Sequence, residues 1–238
     1  APFDHVVCSL NGSGVDYYLP RLIAPQVPCS VLLNGVDPQR PDIEATARIE
    51  KSHGEDGPPV VLFIGRLEWN KGCREFVEGV LGLLSRRPGS LRAVLVGDGS
   101  LHDELAGRIA AAQAEDQVLL AGSVPHGEVA AWLARADVYV SLNHLGNLSN
   151  ANLEAMAAGK CMIILDADPQ THTDMETTRL IPEDAALRIG REEMAGNLAR
   201  ALESLLDEAS KIESYAAASS RLGRELLQPW DRRIETEI

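Results

Sequence analysis

The regular alternation that sets in after residue 58 constrains this chain more than any other feature. Short apolar runs at 60–64, 91–96, 118–120, 138–141 and 161–165 are separated by segments in which apolar residues recur at helical spacing. The spacing predicts helices over 71–86, 101–112, 127–135 and 150–158, the last stopped by Gly159. In the first of these, Phe76, Val77, Val80, Leu81 and Leu84 share one face. Strands that are apolar on both sides, each followed by a helix, pack only as right-handed βαβ units around a parallel sheet covered on both faces. The expected class is therefore α/β, with a doubly wound parallel sheet. Beyond Gly190 the pattern becomes wholly helical, with amphipathic stretches at 192–206 and 212–227. A short polar helix opened by Pro229 follows, with Trp230 and Ile234 on one face.

The head of the chain reads differently. Residues 5–10 (HVVCSL) form a strand, NGSG a turn, and 16–23 a helix. Pro25 and Pro28 break the chain before a strand at 29–33, and residues 38–59 read as an irregular polar excursion. One strand and one helix cannot bury their own faces. Residues 1–27 are thus expected to be the end of another domain or an edge addition, with the main domain over 28–238.

Composition narrows the function. Of 238 residues, 45% are hydrophobic, enough for a sizeable core, and the formal net charge is −13. That balance argues against nucleic acid and acidic lipid as partners, so a phosphate ligand must be held by local cations and amides. The cysteines Cys8, Cys29, Cys73 and Cys161 are scattered, which implies neither a zinc site nor a disulfide framework and fits a cytoplasmic protein. No stretch approaches the length of a transmembrane segment.

Two segments carry chemistry. GRLEWNKG at 65–72 follows the apolar run VVLFI. Gly65 makes the turn at the strand end, and Arg66 and Lys71 flank the mouth of the next helix. A loop at the carboxyl edge of a doubly wound sheet, bearing two cations, suits a phosphate. The alternative is a pair of surface cations held by Glu68 or Asp98. GNLSNANLEAMAAG at 146–159 offers a second helix mouth. Gly146, Asn147, Leu148, Ser149 and Asn150 lead into it, Ser149 or Asn150 is placed to cap it, and its free amides suit an anion. Glu154 sits one turn inside; it would repel a phosphate and must therefore serve something else or face solvent. Together the two segments suggest a site for a nucleotide diphosphate whose other half is transferable. Charge grows on a departing diphosphate as the bond to it loosens, and preorganised cations and amides lower that barrier.

These residues also carry a resemblance. NGVD at 34–37, GRLEWNKG at 65–72, VLVGDG at 94–99, AGSVPHGEVAAWLARADVYVSLN at 121–143 and LEAMAAGK at 153–160 occur in the order and spacing of the C-terminal half of family 4 glycosyltransferases. The resemblance implies a retaining, metal-independent enzyme of GT-B fold, with two Rossmann-like domains facing a cleft. This chain would hold the nucleotide-sugar half, with a UDP- or GDP-sugar as donor and no cofactor. Residues 1–27 would be the remnant of an otherwise missing acceptor domain, and the last segment the helix that crosses back to it. The acceptor would be a glycan, a lipid or a small molecule, and the full-length protein is open to a peripheral place at the membrane.

By the same resemblance, Arg66 and Lys71 contact the donor diphosphate, Glu154 takes the ribose hydroxyls, and the base lies against backbone groups of Ser123 and Val124. Val124 has a competing reading as a valine at the core rim. The family usually carries a second glutamate eight residues before the first, where this chain has Gly146; Asn143, His144 and Asn147 are candidate substitutes. A Gly-Gly segment expected after the strand at 161–165 is replaced by DADPQTHTDME, whose acids Asp166, Asp168, Asp174 and Glu176 read as a solvated loop rather than a metal site. The chain alone is expected to bind nucleotide and transfer poorly. A non-catalytic binding module of degenerate type is the rival. A dehydrogenase is disfavoured because GDG at 97–99 is not a GxGxxG fingerprint.

Overall fold

A computed structural model describes residues 4–37, 40–52 and 57–236; parts of the polar excursion, at 38–39 and 53–56, and the last two residues of the terminal segment lie outside them. Six strands form the main sheet: β3 (Val60–Ile64), β4 (Arg92–Val96), β5 (Val118–Gly122), β6 (Val138–Ser141), β7 (Cys161–Leu165) and β8 (Leu187–Ile189). Their order is β5-β4-β3-β6-β7-β8 and every pairing is parallel. The winding direction reverses between β3 and β6, so the loops leaving those two strands flank the crevice where such sheets take ligands.

Alternate residues of each strand feed two separate cores. Val61 and Phe63 of β3 join Leu95 and Ile163 on one face, under α3 (Cys73–Leu84), α4 (His102–Ala111) and α8 (Met194–Asp207). Val60, Leu62, Tyr139 and Ile164 face the other way, under α2 (Ile43–Ser52), α5 (His126–Arg135), α6 (Asn150–Ala157) and α9 (Ala209–Leu226). The face expected of α3 is the one it buries: Phe76, Val77, Val80 and Leu84 are enclosed and Leu81 partly so. Removing one such side chain, as in Phe76→Ala, costs about 3–5 kcal/mol.

Several elements depart from expectation. The excursion at 38–59 contains the ten-residue α2, which opens where Asp42 Oδ1 accepts the Ala45 amide at 2.8 Å. Only Ala45 and Ile49 of α2 are buried, one turn apart, too sparse a stripe to read as periodic. The polar segment after β7 holds α7 (Met175–Leu180), and β8 is only three residues long. Helix α3 starts at Cys73, because Trp69–Lys71 form a 3-10 turn ended by Gly72. At the head, β1 (Val6–Ser9) and β2 (Cys29–Leu32) pair with each other in a separate two-stranded parallel sheet, joined through α1 (Val15–Leu22). β2 therefore pairs with the head strand rather than the main sheet, across the boundary expected at 27/28. The final α10 (Trp230–Glu235) packs back on this head: the Trp230 amide bonds Asp37 Oδ1 at 3.0 Å, and Arg233 donates to the Leu33 carbonyl at 2.5 Å. Among the described residues, no helix is long and apolar enough to cross a membrane.

Candidate functional site

The loop that leaves β3 is anchored by its apolar and acidic residues, which frees its cations. Leu67 is fully buried; its amide bonds the Asp98 carbonyl and its carbonyl accepts the Leu101 amide, both at 2.9 Å. Glu68 accepts from the Ser100 hydroxyl at 2.7 Å and the Ser100 amide at 3.2 Å, bonds that hold its carboxyl below the usual range. The Asp98 carboxylate takes the Gly99 amide at 2.7 Å. Among the described residues, neither Arg66 nor Lys71 forms an ion pair. Arg66 is exposed and Lys71 half-buried. Burial, and then the Arg66 charge beside it, pushes the Lys71 ammonium below its ordinary value. Two cations in one loop, neither paired with a carboxylate, would gain from an anion between them.

This loop meets the one that leaves β6. Gly72 adopts φ +71°, and a Cβ there would lie 2.3 Å from the Leu142 carbonyl oxygen. The His144 amide bonds the Asn70 carbonyl at 2.9 Å. Only a residue without a side chain allows the two backbones this approach.

The β6 loop directs its side chains inward. Asn143 donates to the Gly146 carbonyl at 2.6 Å and accepts the Leu145 amide at 3.3 Å. Asn147 and Leu148 are fully buried. Asn147 accepts from Ser141 Oγ at 3.0 Å and donates to Asp174 Oδ2 at 2.7 Å. The Ser149 hydroxyl donates to Asn152 Oδ1 at 2.8 Å rather than receiving an amide, and Asn150 Oδ1 accepts from Asn34 Nδ2 at 2.6 Å. Neither residue caps α6 as expected, so its first-turn amides have no side-chain acceptor. They and the helix dipole make the start of α6 electropositive.

Gly146 has φ +128°, and a Cβ there would come within 2.5 Å of the Asn11 carbonyl oxygen. The NGSG turn of the head occupies the space a side chain would need. Asn143 is committed to the loop itself, and Asn147 to Ser141 and Asp174. His144 packs with Nε2 3.9 Å from Glu75 Oε1, and burial lowers its pKa.

Glu154 is half-buried on α6, 3.8 Å from His126 Nε2. Burial raises the carboxyl above its usual range, and the His126 charge opposes this. Ser123 is exposed at the β5–α5 turn, and Val124 packs at the core edge. Glu154 also borders a mostly apolar cavity of about 530 Å³ walled by Leu133, Ala157 and Leu227.

Of the four acids read as a solvated loop, Asp174 departs most: it is 1% exposed and pairs with Arg191 at 2.7 Å. Among the described residues no His, Cys, Asp and Glu cluster is suited to a metal. Arg191 escaped the sequence reading, and His126 read there only as a scattered histidine with no partner at a recognisable spacing. Arg191 follows a strand too short to recognise, and the only signal for His126 is its place one residue after Pro125 at the start of α5.

The family model described as "Glycosyl transferases group 1" matches residues 58–208, more than half of the chain and nearly all of the six-stranded unit. The chain belongs to this family. Among curated relatives of this group 1 member, the 2-deoxystreptamine glucosyltransferase of Streptomyces kanamyceticus is 29% identical over 143 residues, covering 58% of this chain and 37% of that protein. The alpha-D-kanosaminyltransferase of the same organism is 25% identical over 182 residues, or 76% and 45%. The chain thus spans less than half the length of these relatives. Among solved structures, Anabaena HepE in complex with UDP and glucose superposes with TM-score 0.78 at 17% identity, over 98% of this chain and 62% of that one. The C-terminal domain of the group 1 glycosyl transferase LpcC from Francisella tularensis gives 0.63 at 18%, over 78% and 94%. These likenesses are of fold: the sheet is one half of a GT-B architecture.

Proposed function

We propose that this chain is the donor-binding half of a family 4, retaining, metal-independent glycosyltransferase that takes a UDP-sugar, with a GDP-sugar as the alternative. The observation that carries this reading is a pair of cations that form no ion pair among the described residues, on a loop bonded to the one that leads into the uncapped start of α6. In it, Arg66, Lys71 and the amides at 149–151 hold the diphosphate, the Leu148 amide expected among them being taken by the Asn11 carbonyl. Gly65 lets the backbone turn there, Glu154 accepts from the ribose, and Ser123 and Val124 present backbone groups to the base. UDP is put first because HepE was solved with UDP and with UDP-glucose.

Transfer with retention proceeds by attack on the face the diphosphate leaves, the departing phosphate taking the acceptor proton. Arg66 and Lys71 stabilise the charge that grows on the leaving oxygen. The acceptor, a glycan, lipid or small molecule, is bound by a domain of which β1 and α1 are the last elements. Calorimetric titration with UDP, GDP and UDP-glucose tests the reading. Arg66→Ala and Lys71→Ala should each weaken UDP by roughly ten- to hundredfold, equivalent to about 1.5–3 kcal/mol. Equal affinity in wild type and both variants would sink it.

A second reading is favoured by Gly146. The resemblance to family 4 implies a carboxylate at this position; here the residue is glycine and the head turn fills the space of a side chain, which suits a module that binds a nucleotide sugar without transferring it. UDP binding by the full-length protein without turnover of any donor would select this second reading.

A further inference from the structure

Arg191 joins three strand ends. Its Nη1 donates to the His144 carbonyl after β6 at 3.2 Å, its Nε to the Asp166 carbonyl after β7 at 2.7 Å, and its Nη2 to Asp174 Oδ2 at 2.7 Å. Asp174 has no exposed side-chain surface. Its Oδ1 accepts the Asn147 amide at 2.6 Å and Thr177 Oγ1 at 2.7 Å, and its Oδ2 also accepts Asn147 Nδ2. Its own amide donates to the Gly12 carbonyl at 2.7 Å, while the Leu148 amide donates to Asn11 at 3.2 Å.

The backbone of Asn147 is therefore gripped from below, three residues before α6 begins. Its carbonyl in turn accepts Asn152 Nδ2, inside the first turn of that helix, at 2.9 Å. A buried ion pair adds little net stability over apolar groups of equal volume, because desolvation offsets the attraction. Its forked and directional bonds do impose one arrangement on the groups they join.

We propose that Asp174 and Arg191 are positioning residues for the diphosphate: they set the attitude of residues 143–149 and so aim the first amides of α6. The inference rests on the reading of that helix start as the phosphate site. Neither residue touches the ligand: Asp174 acts through Asn147, and Arg191 through Asp174 and the His144 carbonyl.

The test compares UDP with uridine, which lacks the phosphates, on wild type, Asp174→Asn, Arg191→Met and Arg191→Lys. Asp174→Asn should weaken UDP by about tenfold or more and leave uridine within about twofold, since only the diphosphate meets the helix start. Amide exchange should quicken at 147–152 and stay unchanged in β3 and β4. Arg191→Lys keeps the charge but cannot reach three acceptors at once. It should recover the melting temperature lost in Arg191→Met without recovering UDP affinity. Parallel losses for UDP and uridine, unchanged UDP affinity in the Asp174 and Arg191 variants, or exchange quickened throughout the sheet would each overturn the inference. If wild type binds neither UDP nor GDP, the functional reading fails instead, and exchange at 147–152 still decides whether the pair holds the loop. Should Asp174→Asn not fold, the two arginine variants carry the comparison.

Discussion

The loop leaving β3 and the loop leaving β6 lie side by side, yet they offer a ligand different things. The first is anchored by buried Leu67 and by the Glu68–Ser100 bond and, among the described residues, leaves Arg66 and Lys71 without an ion pair. The second spends Asn143, Asn147, Ser149 and Asn152 on internal bonds and leaves backbone amides. One loop acts through side chains and the other through main chain, so substitutions should affect the two in opposite ways: binding without stability in the first, stability before binding in the second.

The largest effect should come from Gly146→Glu, which restores the acid typical of the family. With φ positive and Asn11 in the way, it should cost about 3 kcal/mol and lower the melting temperature by roughly 6–12 °C. A melt indistinguishable from wild type would show that the head turn does not hold this loop.

Next come the cations. Arg66→Ala and Lys71→Ala should lose UDP affinity as given above while changing unfolding free energy by less than about 0.5 kcal/mol. A large drop in denaturation midpoint in either variant would erase the contrast between the loops. Asn152→Ala should do the reverse. It strips the acceptor from the buried Tyr139 hydroxyl, 2.9 Å away, and should cost about 2 kcal/mol by urea denaturation.

The smallest effect concerns Glu154. Its carboxyl is raised in the fold, so the folded state holds the proton more tightly than the unfolded chain. Stability from this group is then greatest in acid and falls as pH rises from the ordinary glutamate value through the raised folded one. Glu154→Gln should flatten that fall, with a gain at pH 7 below about 1 kcal/mol, and weaken uridine and UDP alike. An unchanged pH dependence would place the carboxyl in open solvent.

Legibility in the sequence followed the same division. β3, β4, β6 and β7 showed as apolar runs because both their faces are covered; β5 showed as one although it is an edge strand with Leu119 exposed. β8 did not, since three residues carry no period, and α2 buries too little to leave a stripe. Arg66 and Lys71 stand out in the sequence because a charge beside a loop glycine needs no distant partner to be noticed. Asp174 read as a solvated loop acid because its partners Asn147 and Arg191 lie 27 and 17 residues away. Nothing in local spacing shows such a meeting; only the fold creates it. Likewise Ser149 and Asn150 are good capping types, yet Asn152 and Asn34 claim their polar atoms first.

Helix α10 clasps the segment from Leu33 to Asp37, and Asn34 within that segment steadies Asn150. A deletion that trims the chain after Leu227 would thus loosen residues 33–37, and with them the support of Asn150. Distance along the polymer and distance in consequence part company here: shortening the tail reaches the start of α6 through a single asparagine.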